Sequence, residues 1–382
     1  MAAAVIVLAL HVYLWRRLVR DLALPARLHR FGTALIALLG TIVVAAVGVS
    51  LLVARNGYPL LTALGFGWLG TTVYLIALLV AGDVLRFATR KRSPRSATGP
   101  DALREPRRVF VARAVAGSAL LASGGIAAFG VRSAVWELHT PHVPVRLTRL
   151  PRALDNFSIA LLSDVHIGPM LDGRFLRQLV DRTNALRPDL IAIAGDLVDG
   201  SVREIGAQVA ELGRLHAPHG VFFVTGNHEY YSGARQWIQF LPRLGVRVLM
   251  NEHVPIGDAA ASFDLAGVTD RMGARWRHGP DALAATRGRD TQRELVMLAH
   301  QPVQIFDSAA VGAGLQLSGH THGGQLQPFG ELARLRQPYV AGLHRHEPGG
   351  AQIYVSCGTG FWGPPLRVLA PAEIPLIRLV AG

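Results

Sequence analysis

The 382-residue chain has a single cysteine, Cys357, and a single lysine, Lys91, among its 39 basic side chains. One thiol excludes an intramolecular disulfide framework and any cysteine-rich zinc or iron–sulfur site. The lysine shortage excludes nothing, because arginine supplies the charge instead. Charged residues of both signs make up only 17% of the chain, and mean hydropathy is +0.30. That balance excludes intrinsic disorder, and the lack of any short repeat excludes a collagen-like or low-complexity chain.

Acidic residues are scarce in one region only. Residues 1–150 hold 18 Lys and Arg against 5 Asp and Glu, whereas residues 151–382 hold 21 of each. The whole excess of +13 therefore lies in the first 150 residues. Such basicity can mark a nucleic-acid partner. Here the arginines stand between long apolar runs, which is the pattern of membrane topology, so no nucleic acid is expected. Gly32–Ala54 and Pro59–Gly82 are uncharged runs of 23 and 24 residues, long enough to cross about 30 Å of hydrocarbon. Ala114–Val131 is a third candidate, rich in Gly, Ala and Ser that suit close helix packing. Ala2–Trp15 is shorter and carries His11; it fits either a short first span or an interfacial helix. Residues 1–134 thus read as a membrane region of three or four helices.

Residues 16–31 and 85–108 hold clusters of cations, including Arg16, Arg17, Arg20, Arg86, Lys91, Arg92, Arg95 and Arg108, while the turn between the two long runs holds only Arg55. The positive-inside rule puts both basic stretches in the cytoplasm. Residue 132 onward is then extracytoplasmic, in a multi-pass protein of the cell membrane. Arg107-Arg108-Val109-Phe110 before an apolar run reads either as a twin-arginine export signal or as an ordinary basic flank.

Residues 135–152, with His139-Thr140-Pro141-His142-Val143-Pro144, read as an extended linker. From 153 to 382 short apolar runs alternate with helical patterns. Strands are expected at Ser158–Leu162, Leu190–Ala194, Val221–Thr225, Val246–Met250, Phe263–Gly267, Leu295–Ala299, Leu315–Leu317 and Gln352–Ser356, and helices at Gly173–Ala185, Arg203–Leu215 and Ala234–Leu244. The early alternation implies βαβ units and a parallel sheet. The closer spacing of the later strands implies a second, mixed sheet.

Five of these strands end on polar motifs: Ser163-Asp164-Val165-His166, Gly195-Asp196-Leu197-Val198-Asp199, Gly226-Asn227-His228-Glu229, His300-Gln301-Pro302 and Gly319-His320-Thr321-His322-Gly323-Gly324-Gln325. Alone, each has a structural reading: a turn pair, a helix cap, a satisfied core histidine. Together and in order, they deliver Asp, Asn and His to the strand ends where open α/β sheets gather ligands. Mixed oxygen and imidazole donors suit Mn, Fe, Zn or Co better than Ca or Mg. Two such ions can clamp the attacking and leaving oxygens of a phosphoryl transfer.

This series resembles the calcineurin-like metallophosphoesterase superfamily over about residues 155–380. GNHEYYSG, GHTHGGQ and the closing GTGFWGPPLR resemble its bacterial membrane-anchored, phosphodiesterase-like branch. The resemblance implies a four-layer α/β/β/α sandwich with a dinuclear metal centre holding two divalent ions. Asp164, His166 and His322 would bind one ion, Asn227, His300 and His320 the other, and Asp196 would bridge them. A bridging hydroxide would attack phosphorus, and His228 would assist the leaving oxygen. Asp199 either orients a neighbouring group or is a turn residue. Tyr230, Tyr231, Trp362 and Arg367 are candidates for lining the cleft, and Arg271, Arg275 and Arg277, in the polar segment Asp270–Thr291, for meeting phosphate or lipid headgroups. Leu332–His346 reads as a second insertion. The expected activity is hydrolysis of a phosphodiester, lipid-linked or of the envelope, beside membrane lipids. The alternatives are a phosphomonoesterase or nucleotidase with the same ions, and a non-catalytic metal-binding membrane scaffold.

Overall fold

An apolar segment without water around it can satisfy its backbone only as a helix, and among the described residues the first third of the chain forms four α-helices. The computed structural model describes residues 2–52, 58–90 and 104–382. These helices are α1 (Ala2–Leu18), α2 (Ala26–Leu52), α3 (Pro59–Arg90) and α4 (Arg104–Trp136). Within them Ala26–Ser50, Pro59–Ala88 and Arg108–Trp136 are long and apolar enough to cross a membrane. Helix α1, at 17 residues, is shorter than these. His11 does not break it: the ring is buried, with Nδ1 donating to the Val7 carbonyl at 2.8 Å and Nε2 accepting from Trp68 Nε1 at 3.0 Å. Arg55, Lys91, Arg92 and Arg95, counted above for topology, lie outside the described residues.

The chain divides into two compact units, a helical one within residues 1–132 that includes 363–366, and an α/β one over 133–362 and 367–382. The α/β unit opens with β1 (Leu138–His139), β2 (His142–Leu147) and β3 (Phe157–Leu162). It continues with α5 (Gly173–Ala185), β4 (Leu190–Ile193), α6 (Val202–Val209), β5 (Val221–Phe223), α7 (Asn227–Tyr231), α8 (Ala234–Phe240) and β6 (Val246–Val248). Then come β7 (Glu252–Gly257), β8 (Ser262–Gly267), α9 (Ala282–Ala285), β9 (Leu295–Leu298), α10 (Ile305–Ala310) and β10 (Leu315–Ser318). It closes with β11 (Gly342–His346), β12 (Ala351–Val355), β13 (Ala372–Glu373) and β14 (Leu376–Ala381).

Two six-stranded sheets result, ordered β2-β14-β3-β4-β5-β6 and β11-β12-β10-β9-β8-β7. Strands β3 to β6 are parallel neighbours, as are β8, β9, β10 and β12 in the second sheet. Strand β3 is buried at every position, as a strand covered on both faces must be. Its alternation sorts the layers. Ile159 and Leu161 join Phe222, Phe263, Leu298 and Leu317 in a core shared by the sheets. Ala160 and Leu162 face Leu176, Leu179, Ile205 and Trp237 of α5, α6 and α8. On the other side of the second sheet, Met297 packs with Ala285, and Ile353 with Ile305. These are the expected four layers. Helix α5 starts where the Asp172 carboxylate accepts from the Arg174 and Phe175 amides at 2.9 and 3.3 Å, and its Leu176, Leu179, Val180 and Thr183 form one buried stripe.

The linker assignment needs correction. Residues 142–147 form β2, in parallel register with β14 from Leu376↔His142 to Ala381↔Leu147, and β1 pairs with β13. Val145 and Leu147 are buried while His142, Pro144 and Arg146 face out. The period-two burial was present in the sequence but hidden by two prolines. Pro144 is tolerated because β2 is an edge strand. Strands β7, β11 and β14 were also not anticipated; β11 occupies the end of the second expected insertion.

Trp237 is fully buried and donates from Nε1 to the Gly200 carbonyl at 3.0 Å. Trp237→Ala should cost about 3–5 kcal/mol of stability, read as a lower midpoint in denaturant unfolding.

Candidate metal centre

All five motif loops leave the C-terminal ends of parallel strands: β3, β4 and β5 in one sheet, β9 and β10 in the other. Their backbones are laced together. Asp164 and His166 amides donate to the Gly195 and Asp196 carbonyls, each at 3.1 Å, and the Gly319 amide donates to the His300 carbonyl at 3.0 Å. Asp164, His166, Asp196, His320 and His322 all have φ between 50° and 73°. Non-glycine residues adopt that region only when the surroundings hold them there, at about 1–3 kcal/mol each. Five of the seven expected ligands therefore sit on strained backbone.

Six of the seven expected ligands gather in two clusters. Asp164, His166 and His322 form one cluster, and Asp196, His300 and His320 a second, with ligand atoms within 4.8 Å of one another in each. His166 Nε2 and His322 Nε2 are 3.1 Å apart, and His320 Nδ1 is 3.2 Å from His300 Nε2. His300 donates from Nδ1 to the Ala194 carbonyl at 2.7 Å, which fixes the tautomer and turns Nε2 to Asp196 Oδ2 at 3.1 Å. Asp164 accepts the His320 amide on both oxygens at 3.0 Å. Asn227 Oδ1 is buried and has no hydrogen-bond partner among the described residues.

Buried imidazole nitrogens facing one another need a proton or a cation between them, and a buried amide oxygen without a donor needs a ligand. The nitrogen and oxygen set fits a transition ion. Burial and the neighbouring His300 push His320 down to about 3. Burial, with His166 and Arg367, pushes His322 well down. Burial opposes ionisation of Asp196, yet His300 and His228 hold it well below the carboxylate range.

His228 is flanked by two carboxylates. Its amide donates to Asp196 Oδ1 at 2.8 Å, and its Nδ1 lies 2.5 Å from Asp199 Oδ1. Burial would lower its pKa, but Asp196 and Asp199 raise it to about 9. Asp199 therefore orients a neighbour rather than serving only as a turn residue. Its other oxygen stands 3.2 Å from His166 Nδ1, outside hydrogen-bond geometry. The rings of Tyr231 and Trp362 meet His228 edge-on at 5.2 and 5.8 Å, and both are about half exposed.

Two expectations for the cleft change, those for Tyr230 and Arg367. Tyr230 is buried and stacks on Trp276 at 5.5 Å. Arg367 is fully buried, with Nη1 donating to the Ala370 carbonyl and Nη2 to that of Cys357, each at 2.8 Å, and Nε to that of Gly360 at 3.0 Å. It ties the loop after β12 together instead of facing substrate. Arg271, Arg275 and Arg277 are exposed, on and just after a 3-10 turn capped by Asp270.

Glu229 was missed. It is fully buried and accepts from the amides of Gly226, Asp196, Leu197 and Val198 at 2.6, 3.0, 2.8 and 3.3 Å. Burial and Asp196 raise it to about 7. Its place two residues after Asn227 was visible, but no periodicity indicates that a carboxylate will reach back into another loop.

The family model for the calcineurin-like phosphoesterase matches residues 157–324, which contain all seven expected ligands and His228. A Helicobacter pylori metallophosphoesterase is 41% identical over 239 residues, 62% of this chain and 62% of that protein. The match thus spans less than two thirds of that relative's length. A Danio rerio transmembrane protein with metallophosphoesterase domain is 30% identical over 385 residues, 96% of this chain and 86% of its own. A Bos taurus protein of the same description is 32% identical over 342 residues, 86% and 76% of the two chains.

A Cβ on Gly226 would lie 2.2 Å from Asp196 Oδ1. Gly226→Ala should therefore lower bound metal per mole as Asp196→Ala does, measured by mass spectrometry of the protein-bound elements, while His228→Ala keeps its metal.

Proposed function

The chain belongs to the calcineurin-like phosphoesterase family, and from that premise we propose that it is a metal-dependent phosphohydrolase that cleaves phosphodiesters. The observation that carries this reading is the convergence of six metal-ligand candidates from four loops beside a histidine held by its own carboxylate. Divalent ions at Asp164, His166, His322, Asn227, His300, His320 and Asp196 would polarise the phosphoryl oxygens and supply an activated water.

The remaining chemistry belongs to the chain. Asp199 accepts from His228 Nδ1, which leaves Nε2 as the nitrogen that gives a proton to the departing oxygen. The edges of Tyr231 and Trp362 close around that imidazole. Aromatic walls beside the leaving oxygen suit an organic leaving group, which monoesters and diesters share; the diester reading is supported by the resemblance of GNHEYYSG, GHTHGGQ and GTGFWGPPLR to the phosphodiesterase-like branch. The three span-capable helices and the similarity to a transmembrane relative support a membrane protein. On that basis the substrate is a lipid-linked or envelope phosphoester. The arginine-rich stretches support an α/β unit outside the cytoplasm.

Purified full-length protein, stripped of metal and then given Mn²⁺, Zn²⁺ or Fe²⁺, should hydrolyse bis-p-nitrophenyl phosphate faster than p-nitrophenyl phosphate. His228→Ala should lower kcat by about 10²–10⁴-fold with metal content unchanged. Faster cleavage of the monoester would overturn the diester assignment, and full activity in His228→Ala would overturn the role given to that side chain.

A further inference from the structure

Two of the motif loops leave the C-terminal ends of β9 and β10, while the N-terminal ends of the same parallel strands border a cavity of about 430 Å³. That volume lies within the roughly 300–1,000 Å³ of ordinary ligand sites. Glu294 and Gly314 line it from the positions just before β9 and β10. An edge strand of each sheet closes its sides, β2 with Arg146 and β11 with Arg345. The Gln352 side chain joins the two sheets there, donating from Nε2 to the Arg146 carbonyl at 2.7 Å. The cavity thus sits at the end of the second sheet away from the metal centre and shares no residue with its clusters.

The one carboxylate on its wall is already in use. Glu294 is buried, and Arg149 donates to it from Nη2 and from its amide, each at 3.1 Å. The Leu295 amide adds a third bond at 3.0 Å. A Cβ on Gly314 would come within 2.3 Å of Glu294 Oε1, so only glycine leaves that carboxylate its place. Arg149 also donates to the Gly312 carbonyl at 2.6 Å. One guanidinium and one carboxylate therefore neutralise each other at the base. The donors at the rim are not in use. Arg146, Thr148 and Arg345 are exposed, and among the described residues neither guanidinium nor the hydroxyl has a hydrogen bond or an ion pair. The next carboxylate after Arg345, Glu347, does not line the cavity, and the whole lining belongs to the α/β unit.

Donors without acceptors, two of them permanently charged, call for an anion rather than a cation. Guanidinium forks match phosphate oxygens in pairs. Leu147 and Ala351 give the same cavity a buried apolar floor, which suits an organic group attached to the anion. We propose that this cavity is a second ligand site, for a soluble phosphate-bearing anion, the free ion or a small organic phosphate, held by Arg146 and Arg345.

The test is calorimetric titration of full-length protein in neutral detergent, with a chelator present so that no probe is hydrolysed. The probes are adenosine monophosphate, inorganic phosphate and, as the uncharged control, adenosine. Adenosine monophosphate should bind, and the double variant Arg146→Gln, Arg345→Gln should weaken it about tenfold or more, the scale of one charged hydrogen bond. That variant leaves every metal ligand in place, so binding at the emptied metal centre would be the same in both proteins. A second pair, Arg243→Gln with Arg247→Gln, removes the same charge from the β6 end of the first sheet, opposite β2, and should leave the affinity unchanged. Phosphate binding as tightly as adenosine monophosphate would support the site with the free ion as ligand; weaker phosphate binding would support it with an organic phosphate. The proposal would be overturned by no binding of either phosphate probe, by equal binding in the wild type and the Arg146, Arg345 variant, by equal weakening in both variant pairs, or by adenosine binding as tightly as its monophosphate.

Discussion

Asp196 is a buried carboxylate that the chain approaches from three directions. Its amide is held by Glu229, one oxygen takes the amide of His228, and the other faces His300. A charge without water must be met on every side, so the loops after β3, β4, β5 and β9 have no freedom to drift apart. The small residues around it follow from the same demand. Gly195 and Gly226 abut, and a Cβ on Gly195 would come within 2.6 Å of the Gly226 nitrogen. The left-handed backbone at five of the ligand positions is a further cost of packing so many donors at one point.

That economy explains why the site was readable from the sequence and parts of the fold were not. A motif such as Gly-Asn-His-Glu directly after an apolar strand states both its chemistry and its position. The strands that carry motifs were placed to within a residue or two, and helix α5 was placed at its observed bounds. By contrast β2, β7, β11 and β14 carry no chemistry and earn their places only by pairing. The register of β2 depends on β14, more than two hundred residues later in the chain, and local composition cannot report such a partner. Arg367 shows the same limit at the level of a side chain. An arginine near a motif suggested the lining of the cleft, but here it is buried and its guanidinium donates to backbone carbonyls.

The helical unit follows a different logic. Its apolar side chains bury a small core around Leu14, Val19, Leu75 and Leu79, and its polar residues add bonds with direction. Trp15 donates to Thr33 at 3.0 Å, Trp68 to His11 at 3.0 Å, and Arg17 pairs with Asp83. Each bond joins two helices and leaves one arrangement favoured over others of similar shape. The fixed polar contacts set how the helices meet, much as Asp196 sets how the loops of the α/β unit meet.

Strand β2 ends the first sheet with an outward face of His142, Pro144 and Arg146. Proline offers no backbone donor, and a cation beside it repels a matching edge. The β2 border of this sheet is therefore disfavoured for strand addition, so that edge works against one copy extending the sheet of the next.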